Sequence, residues 1–320
     1  MKIAILGYGV IGKGVYEIVS KKDDINVVNI LEREEKFDKQ KINLFTSNID
    51  EILNNDEIEL IVEVLGGYDF AYNCIKKALN AKKHVVTANK EVVAKSIDEL
   101  TALATKNNVE FLYEASVGGG IPIIKNLVEI TKTSQISSIE GILNGTTNFI
   151  LTKINEGMSY NDALKKAQEL GFAESDPTAD VEGYDMMRKI AILSDLAWNT
   201  KIDINDVIHI GLTSLKDEDY KKAYDNNQII KYVCYANKID EKIEIGVKPM
   251  YLEKEHILTK VNNETNAVIL NTYPNDELVF IGKGAGSLPT ASSIVGDIYN
   301  IIYNRTISIY ENTNKYIINK

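Results

Sequence analysis

Cysteine is nearly absent, with only Cys74 and Cys234 in a chain of 320 residues. Two isolated thiols supply neither a CxxC ligand pair nor a disulfide framework, which predicts a reducing compartment. Histidine is almost as scarce. His84, His209 and His256 lie far apart with no HExxH spacing, so no catalytic zinc site is expected. Cationic charge is outweighed, 36 Lys and Arg against 46 acidic residues, for a formal net charge of −10. Binding a phosphate backbone requires clustered cations, so this balance argues against nucleic acid or an anionic membrane as partner. Small basic pockets for single phosphates are still compatible with it. No apolar run approaches the roughly 18 residues of a membrane span. The first strand begins at Lys2, which leaves no room for a signal peptide, and a cytoplasmic location is expected. Internal repeats, low-complexity tracts and long linkers are also missing.

The rest of the composition is that of an ordinary globular chain, 44% hydrophobic and 26% charged. Its length suggests two domains and suffices to bury a core without disulfide or metal staples. Short apolar strands are predicted at residues 2–6, 25–31, 60–64, 84–88 and 110–113. Helices are predicted at 11–19, from 50, at 69–81, and at 96–106 with Ser96 as cap. Such alternation is the signature of a parallel sheet covered on both faces. The predicted fold is therefore α/β, a doubly wound Rossmann sheet over residues 1–125, with a second α+β domain over 126–297 for substrate binding and dimerisation. In that second part the pattern predicts helices at 123–131, 160–169 and 181–198, and strands at 136–143, 230–236, 243–247, 267–270 and 277–281. A helix at 292–303 and a strand at 307–310 follow, and the segment 298–320 is expected to pack back on the first domain.

Glycine is unevenly spread. Fourteen of the 20 glycines fall in five clusters: 7/9/12/14, 66/67, 118/119/120, 141/145 and 282/284/286. Gly7-Tyr-Gly9-Val-Ile-Gly12 follows the first predicted strand and opens the first helix. Glycines at this spacing make a tight turn, admit a pyrophosphate to the helix N-terminus, and let helix and strand pack closely. Dinucleotide binding through Gly7, Gly9, Val10, Ile11 and Gly12 is the expectation. At the end of the second strand, Glu32 would favour a free ribose 2′-hydroxyl. Arg33, with Lys36 near it, would favour a 2′-phosphate, or the stretch is simply a solvated charged loop, so NAD and NADP both stay open with a tilt toward NADP. Leu65 and Gly66, ending a strand at the sheet's carboxyl edge, are expected at the nicotinamide half, though a plain strand-to-helix turn reads nearly as well.

Five segments, in order, resemble homoserine dehydrogenase. They are Thr87-Ala-Asn-Lys90, Glu114-Ala-Ser-Val-Gly-Gly-Gly-Ile-Pro122, Asn144-Gly-Thr-Thr-Asn148, Glu174 through Asp185 into Arg188-Lys189, and Gly282-Lys-Gly-Ala-Gly-Ser-Leu-Pro-Thr290. The resemblance runs from the first strand to about residue 300. It implies NAD(P)-dependent interconversion of L-homoserine and L-aspartate 4-semialdehyde, on the route to threonine and methionine, by a homodimer.

Oxidising a primary alcohol needs a group that takes the hydroxyl proton as hydride leaves, and returns it in reduction. Three scattered histidines offer no relay, which leaves lysine, a residue tunable by burial. Lys189 lies four residues after Asp185 on a predicted helix, so the two share a face; spacing alone favours an exposed ion pair worth a few tenths of a kcal/mol. The resemblance makes Lys189 the acid/base and Glu174 and Asp185 substrate-binding carboxylates, supported by Asp180. It makes Lys90 a second active-site lysine that also touches the cofactor, sets Gly145 and Thr146 in a loop beside the substrate, and makes Gly171, Gly284 and Gly286 cofactor contacts. Three consecutive glycines at 118–120 free several carbonyls to converge on a hard cation, or simply form a hinge. The resemblance implies a sodium-like ion held through Glu114, Val117, Gly119 and Ile121. Only 23 residues follow Asp297, too few for the regulatory ACT domain many relatives carry, so threonine feedback through one is not expected.

Two rivals compete. An aspartate-semialdehyde-type enzyme would acylate a cysteine, but Cys74 falls mid-helix and Cys234 in a strand, as core residues do. A nonenzymatic NAD(P)-binding protein would have no use for the Glu174–Lys189 constellation.

Overall fold

The computed structural model describes residues 1–305 and 317–319. The predicted strand at 307–310 lies outside them. Two compact units divide the chain: Met1–Pro122 with 286–305, and Ile123–Ala285 with the strand at 317–319.

The first unit is built on β1 (Lys2–Leu6), α1 (Val10–Val19), β2 (Asn26–Leu31), β3 (Phe45–Thr46), α2 (Ile49–Leu53), β4 (Leu60–Glu63), α3 (Asp69–Asn80), β5 (His84–Thr87), α4 (Lys90–Asn107) and β6 (Phe111–Leu112). Its six strands are all parallel in the order β3-β2-β1-β4-β5-β6. That is the doubly wound arrangement, with its reversal point between β1 and β4, where ligands bind at the carboxyl ends of the strands. All four residues of β4 are buried, as a central parallel strand requires. Helix α4 starts six residues before the predicted Ser96. Asn89 caps it, its side chain accepting from the Glu91 and Val92 amides, while Ser96 (φ −136°) marks a kink within it. The Ser96 hydroxyl pairs instead with Tyr68.

The second unit runs α5 (Ile124–Thr131), β7 (Gln135–Ile142), α6 (Gly145–Asn155), α7 (Tyr160–Glu169), α8 (Thr178–Val181), α9 (Tyr184–Trp198), β8 (Ile208–His209), α10 (Asp217–Asp225), β9 (Gln228–Ile239), β10 (Lys242–Glu253), β11 (Thr265–Tyr273) and β12 (Asp276–Lys283). Helix α11 (Ser287–Ile302) returns to the first unit and packs on α1, and β13 (Ile317–Asn319) pairs with β10 in the second. The mixed sheet has the order β12-β11-β7-β9-β10-β13, with β8 added beside β10. The helix predicted at 181–198 is two helices, α8 and α9. Gly183 separates them at φ +87°, where a side chain would also meet the Tyr232 hydroxyl. Chain re-entry into the first unit falls at Gly286 rather than near residue 298. The added turns of α11 bury Ala291, Ile294 and Val295 in that unit's core.

Candidate active site

Within the second unit, α6 and α9 carry the polar cluster. Gly145 and Thr146 lie in a helix and not in a loop. They form the first turn of α6, because the Asn144 side chain caps the helix by accepting from the Thr147 amide at 2.9 Å. That bond fixes which end of the Asn144 amide faces outward. Its Nδ2 donates to Asp180 Oδ1 at 2.7 Å and to Asp185 Oδ2 at 3.0 Å, bridging two carboxylates that would otherwise repel each other. Burial, opposed by the Asn144 bond and assisted by Asp185, raises the Asp180 carboxyl above its ordinary range.

One turn along α9, Lys189 Nζ donates to Asp185 Oδ2 at 2.8 Å and to the Leu143 carbonyl at 2.6 Å. The two side chains are 10% and 5% exposed, which removes the surface-pair reading. An ammonium has three donors and a neutral amine two donors and a lone pair. With two positions engaged, one proton or one lone pair is left for a substrate hydroxyl. Asn144, the first residue of the Asn144–Asn148 segment, carries no signal in sequence beyond that of a helix cap; its pair of hydrogen bonds to Asp180 and Asp185 is visible only in the fold. Glu174 is exposed, and among the described residues its carboxylate has no partner, its backbone carbonyl accepting from Gln168 Nε2. Thr146 donates its hydroxyl to the Phe172 carbonyl. Gly171 follows α7 at φ +77°, exposed. Gly284 has a packing reason of its own, since a Cβ there would overlap the Asn266 side chain.

In the first unit, a cavity of about 480 Å³ is lined by Gly7, Gly9, Glu32, Arg33, Lys36, Leu65 and Gly66 among others. Gly7 adopts φ +99°, and a Cβ on Gly12 would stand 2.1 Å from the Gly7 carbonyl oxygen, so this glycine seals helix to strand. At Gly9 a Cβ would meet nothing within 4 Å. The space there is open, as a pyrophosphate approach needs. Val10, 71% exposed, begins α1 with Ile11 behind it. Glu32 turns inward, both carboxylate oxygens accepting main-chain donors, from Tyr8 N at 3.0 Å and Arg33 N at 3.0 Å. Burial works against that charge, but these amides with Lys36 and Arg33 hold the carboxyl below its usual value. Arg33 and Lys36 line the cavity, with Arg33 Nε 3.6 Å from Glu35 Oε1.

Lys90 stands at the start of α4, directly after the capping Asn89. In the segment 114–121, Glu114 is buried and its amide donates to Asp297 Oδ2 at 2.9 Å. Gly118 and Gly119 are both left-handed, and the Gly119 carbonyl accepts from Ser293 Oγ at 2.6 Å. Among the described residues no three His, Cys, Asp or Glu side chains gather as a metal cluster. The Gly118 carbonyl accepts from the Ile121 amide at 2.8 Å, closing the turn. Both cysteines are free and buried; burial pushes the Cys74 thiol up to about 11 and raises that of Cys234. Neither is poised as a thiolate nucleophile.

Comparison with known proteins bears on the whole chain. Residues 122–299 match the family model described as homoserine dehydrogenase, and residues 7–114 the one described as homoserine dehydrogenase, NAD binding domain. The Bacillus subtilis homoserine dehydrogenase is 37% identical over 98% of this chain and 75% of its own length. The crystal structure of a homoserine dehydrogenase from Thiobacillus denitrificans superposes with a TM-score of 0.93 at 32% identity, over 99% of this chain and 79% of that one. A hyperthermophilic archaeal homoserine dehydrogenase solved in complex with NADPH superposes at 0.81 and 28% identity, over 95% and 98%. The chain belongs to the homoserine dehydrogenase family, NAD(P)-dependent oxidoreductases that interconvert L-homoserine and L-aspartate 4-semialdehyde.

Proposed function

We propose that Lys189 is the proton acceptor and donor of this reaction. The observation that carries the reading is its burial between Asp185 and the Leu143 carbonyl, with one position on Nζ uncommitted. Asp185 keeps the amine oriented and, with Asp180 and Glu174, offers carboxylates to the substrate ammonium; Gly145 and Thr146 border the substrate at the head of α6. When bound, the dinucleotide accepts or supplies the hydride. Gly7, Gly9, Val10, Ile11, Gly12, Leu65 and Gly66 would hold it, with Lys90 and Gly286 as further contacts. NADP is the preferred form on this reading, because Glu32 is spent on the glycine turn while Arg33 lines the cavity. A sodium-like ion fits the hard oxygens of Glu114, Val117, Gly119 and Ile121, where two left-handed glycines turn the main chain. The enzyme works as a homodimer, and its two free thiols suit the reducing cytoplasm. A nicotinamide-absorbance assay with L-homoserine tests the central role. Removing Lys189 should abolish turnover with dinucleotide binding intact, and turnover within about threefold of wild type would refute it.

A further inference from the structure

Glu63 ends β4, and its side chain is 0% exposed. Burial pushes its carboxyl up to about 7, while Thr87, the Leu65 amide and Asn89 pull the other way. All three are neutral donors, and among the described residues the carboxylate has no ion-pair partner. A buried carboxylate without a cation costs stability, so apolar packing does not account for it.

Its partners do. The Leu65 amide donates to Oε1 at 2.7 Å and the Thr87 hydroxyl donates to Oε2. The Thr87 hydroxyl oxygen in turn accepts from the Asn89 amide at 2.9 Å. The Asn89 side chain also donates to the Gly67 carbonyl at 2.8 Å and caps α4 through the Glu91 and Val92 amides. One carboxylate thus ties the turn after β4 to the turn after β5. The first of these contributes Leu65 and Gly66 to the dinucleotide cavity, and the second delivers Lys90.

The network is built for the anion. An ionised carboxylate only accepts. A proton on Oε2 would leave the Thr87 hydrogen without its acceptor, and a proton on Oε1 would confront the Leu65 N–H; either orphans a buried donor. We propose that Glu63 is a positioning residue for the dinucleotide, whose ionised form locks the 65–67 and 87–90 turns together. Affinity for NAD(P) then rises as Glu63 loses its proton. The proposal rests on the cavity being the dinucleotide site. Leu6 on β1 and Thr87 on β5 are its register neighbours, and neither titrates. From α3 the Cys74 thiol feels its charge, but at about 11 it stays protonated near neutrality. Lys77 on α3 acts on Cys74, and Lys90 opens α4.

The experiment is a fluorescence titration of the full chain with NADH and with NADPH between about pH 6 and pH 8.5. NADH is needed because a phosphate monoester such as the 2′-phosphate titrates near ~6. Wild type should bind NADH roughly tenfold more tightly at the alkaline end, with a midpoint near Glu63's own value, the tenfold corresponding to about one pKa unit of coupling. Glu63→Gln should be flat at the wild type's acid-side affinity, and should melt no lower than wild type at alkaline pH, which shows it folded. Thr87→Val, which keeps the carboxylate but removes a donor to its charged form, should move the midpoint upward. A flat wild-type profile, or a Glu63→Gln protein with the wild-type slope, overturns the role. Wild type that binds neither nucleotide at any pH overturns the cavity assignment itself, and the Glu63 role with it.

Discussion

Lys189→Met is the substitution that separates a catalytic amine from a surface ion pair. It deletes the ammonium and leaves Asp185, 3% exposed, as a buried carboxylate bridged through Asn144 to a second one at Asp180. Removing one partner of a buried pair costs about 3–5 kcal/mol, which in a domain of this size lowers the melting temperature by roughly 6–20 °C. Loss of an acid–base group lowers kcat by about 10²–10⁴-fold. Both effects follow from one substitution, so they have to be pulled apart. Lys189→Met/Asp185→Leu removes both charges and should recover most of the lost stability, yet stay inactive. Dinucleotide affinity should hold in both proteins, since the glycine turn is untouched. The assays are thermal unfolding and nicotinamide absorbance with L-homoserine. An exposed i,i+4 pair predicts instead a loss of about 0.5 kcal/mol or less and near-normal turnover, and that outcome in a folded, dinucleotide-binding Lys189→Met would refute the assignment.

Three further outcomes are expected. Gly9→Val should weaken dinucleotide binding with little change in melting temperature, because its Cβ meets nothing, whereas Gly12→Ala should destabilise the fold, its Cβ falling 2.1 Å from the Gly7 oxygen; equal melting temperatures would contradict this. Arg33→Ala should shift the kcat/KM ratio from NADP toward NAD, and an unchanged ratio would remove Arg33 as the 2′-phosphate partner. Glu63 gives a stability prediction with a definite sign. Its carboxyl is raised in the folded state from 4.5 to about 7, so its contribution is complete below the unfolded value and is lost as pH rises through the folded one, by about 3 kcal/mol in all. Glu63→Gln should therefore match wild type in denaturant unfolding near pH 4 and exceed it at pH 8; a variant less stable at pH 8 would contradict the buried-charge account.

The Rossmann half was legible because its signals are local. Strands β1, β2, β4 and β5 are short apolar runs, and Gly7–Gly12 names the turn that follows the first of them. What escaped there was set by tertiary context. The two-residue β3 pairs with β2 but is too short to show a period, and the start of α4 is masked because both Asn89, its cap, and Ser96, a kink inside it, carry capping side chains. In the second half, α6 went unseen. Seven of its eleven residues are buried, among them Thr146, Thr147, Asn148 and Thr152, so a helix with polar residues facing inward shows no amphipathic stripe. Strands β9 and β10 run longer than their apolar stretches predict, since pairing over twelve residues carries them past those stretches.

The site was legible as residue types and not as an environment. Spacing put Asp185 and Lys189 on one helical face and could go no further, because an i,i+4 pair looks the same whether water or protein surrounds it. What decides between the two is the rest of α9, twelve of whose fifteen residues are buried; a helix wrapped on nearly all sides turns a pair worth tenths of a kcal/mol into one whose halves cannot be removed separately. The same blindness hid Glu63, which in sequence is only the polar end of Leu60-Ile-Val-Glu63, and Asn144, which is only a cap. Each is held by partners far away in the chain: Thr87 and Asn89 for Glu63, Asp180 and Asp185 for Asn144. Local pattern identifies groups able to carry charge, and long-range packing decides which of them are taken out of water, so the groups with perturbed chemistry are the ones a sequence is least able to single out.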